Sequence, residues 1–365
     1  MRWRVLALGL VGTSLVACAA ILGINDGIPR DGGTDGGSDA PAGCPSGTPL
    51  FVTPSAYNNL AAQNGTAYFD VPIVGVYSCP ASGCVNPLTI ASVSMADTYN
   101  AFALGPSVIY YTFLGPNVDG GPTGGALHSV ALDGGNDTAL LSNLAFPFWV
   151  ATAGSNTFWI DDSLSADPPG TTPATVNCIG CSGSTSTPWI TNLSVTYAMI
   201  ADAHTVWVLA DDGTGTATND VYACSTTTPC VSGDAGVAAT AVITGLTPPA
   251  TTPITSSPQL GAFFAGDGTY AYVIASTSII RTDNMGTNKV IVPAVTSVAI
   301  TVDSAAGNLY FANDSTIFRT RADGTGSPVP VVCGQTGISA IAVDATNIYF
   351  VTAGNTNGAP YVAPK

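Results

Sequence analysis

"SVAITVDSAAGNLYFANDSTIFRTRADGTGSPVPVV", residues 297–332, sets short apolar runs between turns in a fixed order. An alternating run, Ser297–Val302, enters a turn at Asp303, and a second run follows with an aromatic at Tyr310. A third run, Ile317–Arg321, ends at Asp323-Gly324, and a fourth, "VPVV", closes the unit. Period-two alternation marks strands with one buried face, and Asp-Gly marks tight reversals. The unit is therefore a four-stranded antiparallel meander. Directly after it, "ISAIAVDATNIYFVTAG" (338–354) starts the same pattern again.

Matching the second strand backwards through the chain yields "TAYFDV", "VIYYTF", "NTFWID", "TVWVLA", "YAYVIA", "NLYFAN" and "NIYFVT". One aromatic stands in register in all seven: Tyr68, Tyr110, Phe158, Trp207, Tyr272, Tyr310 and Tyr349, at intervals of 42, 48, 49, 65, 38 and 39 residues. Four-stranded units recurring about every 40–45 residues are the signature of β-propeller blades. Beyond the N-terminal apolar run, no helical periodicity competes. The fold class read here is all-β, a β-propeller of seven four-stranded blades.

At "NLYFANDSTIFRTRADGTG" (308–326) the chain resembles the YWTD and NHL-like propeller repeats, in which a strand of the "LYW" type precedes an "(I)xRxxxDG" strand and turn. The resemblance is good over Leu309–Gly326 and fair over Ala271–Gly286. It implies the fold and leaves function open, because such propellers serve many functions. YWTD propellers have six blades, so six stays open beside the seven that the aromatics count.

The chain opens "MRWRVLALGLVGTSLVACAA". Arg2 and Arg4 precede an apolar run from Val5 to Ala17, too short to span a bilayer and suited to a signal-peptide core. It ends in Leu15-Val16-Ala17-Cys18, which resembles the lipobox of bacterial lipoproteins. That resemblance implies cleavage after residue 17 and a diacylglyceryl thioether on Cys18, whose acyl chains hold the protein at the membrane. Ala19, rather than Asp, follows the cysteine and points to the outer membrane. The alternative is an ordinary secretory signal. Residues 18–43 are rich in Gly and Asp with little to bury, and read as a solvated tether. Asp31, Asp35 and Asp39 recur every four residues, which is not the ligand spacing of a calcium loop. The propeller domain is expected over 44–365.

Removing the signal leaves 6 basic residues against 23 acidic ones, a net charge near −17, and every acid is Asp. Nucleic acid is excluded as a partner, since no basic patch is available to a phosphate backbone.

Nine cysteines fit this plan. The third strands "GVYSC", "ATVNC" and "DVYAC" end in Cys, and a second Cys follows after a short loop: Cys79/Cys84, Cys178/Cys181 and Cys224/Cys230. Cysteine-free units carry "LDGG", "NMGT" and "ADGT" in the same place, so each pair sits across the turn from third to fourth strand. The two-residue spacing of "CIGC" (178–181) also suits a zinc half-site or a redox pair. Zinc would need two such pairs to converge from separate blades, and no βαβ unit accompanies the motif. In an exported protein the staple is the expected form. Cys44 and Cys333 remain. The seventh unit stops at "YVAPK" without a fourth strand, and "TPLFVT" (48–53) can supply it. A Cys44–Cys333 bond would then lock the ring.

Catalytic readings lack their residues. With no Glu, a Tyr/Glu nucleophile pair or a Glu-ligated lactonase metal has no counterpart, and Arg281, Arg319 and Arg321 fall on third strands. No GxSxG elbow occurs, and the two histidines, His128 and His204, lie in different units. Long loops between second and third strands in units two to four bring Asp119, Asp161, Asp162, Asp167, Asp211, Asp212 and Asp220 toward one sector of the usual partner face. Paired carboxylates there can hold calcium, or they are solvated turn acids. No other cofactor is expected. The chain thus reads as a lipid-anchored envelope protein whose propeller binds or scaffolds protein or glycan. The alternative is a lyase or hydrolase acting in the central channel.

Overall fold

The computed structural model describes residues 43–365 apart from 52–56, 58, 72–73, 93–97, 116, 119–120, 123, 162–173, 183–184, 194–195, 212–217, 231–238, 247–262 and 353–357. Residues 1–42, which hold the expected signal peptide, Cys18 and most of the expected tether, lie outside the described residues.

Seven four-stranded antiparallel sheets follow one another along the chain, so the count of in-register aromatics, not the six blades of the resemblance, gives the architecture. The first strands are Leu60–Gln63, Thr98–Leu104, Pro147–Ala153, Thr196–Ala201, Phe264–Gly266, Ala299–Asp303 and Ile338–Val343. The second strands are Thr66–Val71, Val108–Leu114, Asn156–Asp161, Thr205–Asp211, Tyr270–Ala275, Asn308–Ala312 and Asn347–Thr352. The third are Gly75–Pro80, Gly125–Ala131, Ala174–Ile179, Asn219–Ser225, Ser278–Asp283, Ile317–Arg321 and Pro360–Pro364. Six fourth strands follow in their own blades: Leu88–Ser92, Thr138–Leu144, Thr187–Leu193, Thr240–Leu246, Asn288–Val292 and Val329–Val332. First strands pack on one another from blade 2 through blade 7 and on to blade 1, so they line the axis. Each of these six outer pairs carries a register shift, and the extra twist of a bulge turns the outer strand away from the inner one.

The register aromatic decides how blades pack. Its cross-strand partner on the first strand is alanine in five blades: Ala61, Ala103, Ala151, Ala265 and Ala342. Ile200 and Thr301 take that place opposite Trp207 and Tyr310. A ring of sheets converging on an axis leaves little room at the inner strand and more one strand further out. Small residues inside and large ones outside fill that wedge at uniform density. Phe158, Trp207, Tyr272, Tyr310 and Tyr349 are all fully buried.

Blade 7 takes its fourth strand from the other end of the chain. Thr48–Pro49 pairs with the third strand of blade 7, Thr48 opposite Val362 and Pro49 opposite Tyr361, and the Leu50 N–H continues to the Pro360 carbonyl (2.8 Å). The strand is shorter than the stretch 48–53: Pro49 has no N–H to donate, and Leu50 and Phe51 turn inward and are buried. Phe51 meets Phe69 of blade 1 (ring centroids 5.1 Å apart), in a core shared with Ala340, Tyr349 and Val351 of blade 7. Gly47 is required nearby, because a Cβ there would overlap the Phe350 ring.

All four cysteine pairs are bonded as the repeat assigns them: 44–333, 79–84, 178–181 and 224–230. The stapled turns of blades 1 and 4 share a role with the unstapled ones. In six blades the turn from third to fourth strand, or its equivalent, rests on the outer strand of the preceding blade. The Cys230 N–H donates to the Trp189 carbonyl (2.7 Å) and the Cys84 N–H to that of Leu50 (3.1 Å). Gly134 has φ +83°, and a Cβ on it would sit 2.8 Å from the Thr89 carbonyl oxygen. The Asn288 side chain donates to Val242 O (3.1 Å), and Lys289 Nζ reaches Asp323 O (2.6 Å). In blade 7 the chain is open at this place. There the Cys333 N–H donates to Pro45 O (3.0 Å), with the 44–333 bond alongside.

The loop closed by Cys44–Cys333 spans 289 residues. Chain entropy then assigns it about 5–6 kcal/mol, against about 2 for each short staple. The double variant Cys44→Ser, Cys333→Ser should lose several kcal/mol in denaturant unfolding. It should lose clearly more than Cys178→Ser, Cys181→Ser, and non-reducing peptide mapping should show 44 linked to 333. Equal losses would mean that the closing strand holds without its bond.

Candidate functional site

The first strands of six blades enclose a cavity of about 300 Å³ on the axis. Its walls are Leu60, Phe102, Trp149, Val150, Met199, Ile200, Ile300 and Ile341, with several alanines. Two polar side chains reach it, and both are engaged. Asn59 Nδ2 donates to Asp70 Oδ2 (2.7 Å), and Thr152 Oγ1 donates to the Leu104 carbonyl (2.9 Å). Trp149 adds an indole N–H that is buried without a hydrogen-bond partner. None of the described residues lining this cavity carries a titratable side chain.

The partner-face acids separate into two groups. Asp162, Asp212, Asp119 and Asp167 lie outside the described residues. Asp161 ends its second strand and accepts the N–H of Phe146 (2.8 Å), where the chain enters the first strand of the same blade. Buried Asp70 does the same in blade 1 for the N–H of Asn59 (2.8 Å). Each satisfies a backbone donor that the sheet leaves open. Asp220 is buried and accepts the N–H of Gly245 (2.9 Å), while Asp211 is half-buried at the end of its strand. Among the described residues no three Asp, His or Cys side chains converge as metal ligands.

His128 stands on the third strand of blade 2, 20% exposed. Its Nδ1 lies 3.0 Å from Asp137 Oδ1, and the Tyr111 hydroxyl donates to Asp137 Oδ2 (2.7 Å). Burial, then the bond to Asp137, pushes the Tyr111 hydroxyl far above its usual range. The trio lies off the axis. His204 is an exposed turn residue whose N–H donates to Asp202.

A constellation that strand patterning alone does not reveal sits in the turns from first to second strand. Asp202, Asp267 and Asp344 each accept two backbone N–H groups on Oδ1, forming Asx turns. Their Oδ2 atoms accept from the register aromatics five residues on: Trp207 Nε1 (3.0 Å), Tyr272 (2.6 Å) and Tyr349 (2.8 Å). The buried polar tip of a core aromatic is thereby satisfied. Asp344 also accepts the N–H of Gly65 (2.9 Å), tying blade 7 to blade 1.

Charge divides along the ring. Residues 44–262, which hold blades 1 to 4, carry 13 Asp and no Lys or Arg. Residues 263–365, blades 5 to 7, carry six Asp against Arg281, Lys289, Arg319, Arg321 and Lys365. Four of those cations bond backbone carbonyls.

No family model matches the chain. No curated protein matches it either. Solved propellers do. A streptogramin B lyase is 12% identical with a TM-score of 0.53, covering 86% of this chain and 94% of its own. A puromycin-hydrolysing peptidase of Mycobacterium tuberculosis is 14% identical with a TM-score of 0.53, covering 81% of this chain. The chain spans about half the length of that peptidase (50%). A mitotic checkpoint complex chain is 12% identical with a TM-score of 0.51, covering 87% of this chain and 95% of its own. At such identities the likeness shows the fold alone.

Burial alone would raise the Asp344 carboxyl, but the N–H groups of Thr346 and Asn347, the Tyr349 hydroxyl and the Gly65 N–H hold it below the usual carboxylate range. A folded pKa below the unfolded value, about 3.9, contributes stability that is complete above that value and lost as pH falls through the folded one. Asn cannot titrate, and its amide would face two donors. Asp344→Asn should therefore cost about 1–3 kcal/mol at neutral pH. It should also flatten the loss of stability on acidification below about pH 4, read by urea titrations across that range. An unchanged acid profile would mean that the carboxylate does not act through ionisation.

Proposed function

We propose that this protein is a lipid-anchored bacterial envelope protein, held at the outer membrane through Cys18, whose propeller is a non-catalytic binding or scaffold module for protein or glycan. The observation that supports it most is the channel. A propeller enzyme acting on its axis needs polar, titratable groups there, and the described lining is apolar with its two polar side chains already bonded. The similar solved structures include a lyase, a peptidase and a checkpoint complex, so the fold by itself favours no one class.

The division of charge adds a direction. A partner approaching blades 1 to 4 meets only negative charge, which selects neutral or basic surfaces and disfavours nucleic acid. The Gly- and Asp-rich segment 18–43 would reach roughly 25–30 Å as a random coil, enough to hold the propeller clear of the headgroups.

Two measurements bear on the two halves of this reading. In detergent phase separation, wild-type protein should enter the detergent phase and Cys18→Ser the aqueous phase; wild type remaining aqueous would rule out the anchor. Retention of the anchor-free Cys18→Ser protein on cell-envelope fractions should fall when the second-to-third-strand loops of units two to four are shortened. It should survive Ala201→Leu, which narrows the channel at a half-buried position. Loss with the channel variant alone would favour the lyase or hydrolase reading.

A further inference from the structure

We propose that the cavity between the turns of blades 6 and 7 is a binding site for a small carboxylate. The cavity, about 520 Å³, is lined by Asp303, Asn308, Tyr310, Arg319, Thr346 and Lys365 among others. Tyr310 is fully buried; the Arg319 guanidinium beside its hydroxyl can only donate, so no acceptor takes the hydroxyl proton. Arg319 stands directly across the ladder from it, half-buried. Neither a carbonyl nor a carboxylate bonds the Arg319 guanidinium, unlike the other four described cations. A buried hydroxyl and a guanidinium that meet only each other leave donors without an acceptor, which is costly unless something supplies one.

The repeat itself shows what acceptor suits the place. In blades 4, 5 and 7 the turn aspartate five residues before the register aromatic meets its polar tip. Blade 5 shows the full set: the Tyr272 hydroxyl on the Asp267 carboxylate, with Arg281 across the ladder. Blade 6 has the tyrosine and the arginine, but its turn is two residues longer and Asp303 lies seven residues before Tyr310. That displaced Asp303 pairs with Lys365 Nζ. A carboxylate from outside would restore the missing member. One oxygen would accept from the Tyr310 hydroxyl and the other from the Arg319 fork, and charge-assisted bonds of this kind are the strong ones. Asn308 and Thr346 add groups that hydroxyls on the ligand can meet, which points to a hydroxy acid or sugar acid. Binding here does not depend on the channel, on the lipid anchor or on the partner-face loops.

The test titrates the full chain with galacturonate, acetate, galactose and chloride at matched ionic strength, reading thermal unfolding and calorimetry. Galacturonate should raise Tm saturably by mass action, galactose and chloride should not, and acetate tells whether the carboxylate alone suffices. Arg319→Gln should weaken galacturonate at least about tenfold. Tyr310→Phe removes a hydroxyl whose proton has no acceptor, so it should fold about as well as wild type while weakening the ligand, and it decides the matter if the arginine variant fails to fold. No saturable shift with either carboxylate, an equal shift with chloride, or a shift that Tyr310→Phe leaves intact would overturn the proposal.

Discussion

A ring of four-stranded blades is complete here only because its two chain ends meet inside one blade. Here that meeting rests on two residues, Thr48 and Pro49, laid along the strand Pro360–Pro364. So short a ladder would fray alone. It is held because several independent contacts converge: the Leu50 bond to Pro360, the aromatic core of Phe51, Tyr57 and Phe69, the Asp344 bond to Gly65, and the disulfide to Cys333. Each removes part of the freedom of the closing segment, so the next costs less entropy to form. Were the ring open, blade 7 would present an unpaired edge and every interblade contact would lose its last partner.

The same economy explains where the cysteines stand. The turn from third to fourth strand touches the preceding blade, so its shape governs how neighbouring blades seat. Glycine sets that shape in blades 2, 5 and 6, as at Gly134, Gly286 and Gly324, all at positive φ. Disulfides stand in the corresponding turns of blades 1, 3 and 4. In blade 7 there is no turn at all, and the Cys44–Cys333 bond replaces a peptide link with a side-chain one. Staple, glycine turn and closing bond therefore answer one steric demand.

Much of this was legible in the residues because it is periodic. An aromatic recurring in register needs no tertiary knowledge to be seen, and the cysteines could be paired once the turns were aligned. What was not legible depends on distance rather than period. The turn aspartates were visible as turn residues, but their second role needed the five-residue spacing to Trp207, Tyr272 and Tyr349 to be read as a hydrogen bond. Asp161 read as a partner-face acid, yet one of its oxygens caps the Phe146 N–H. That use depends on the closure of the second strand against the first. The apolar lining of the channel was hidden for the same reason: which side of each first strand meets the axis is set by blade packing.

The uneven placing of the cations bears on how the chain would meet a trypsin-like protease. Between Arg30 and Arg281 the chain has no Lys or Arg, so a trypsin-like protease has no bond to cut in four consecutive blades, folded or unfolded. Arg281, Lys289, Arg319 and Arg321 all lie within paired strands, where the extended backbone a protease must grip is committed to the ladder. Proteases of that specificity would have to wait for blades 5 and 6 to open, and the first four blades would then remain one uncut stretch, still joined to residues 322–365 by the Cys44–Cys333 bond.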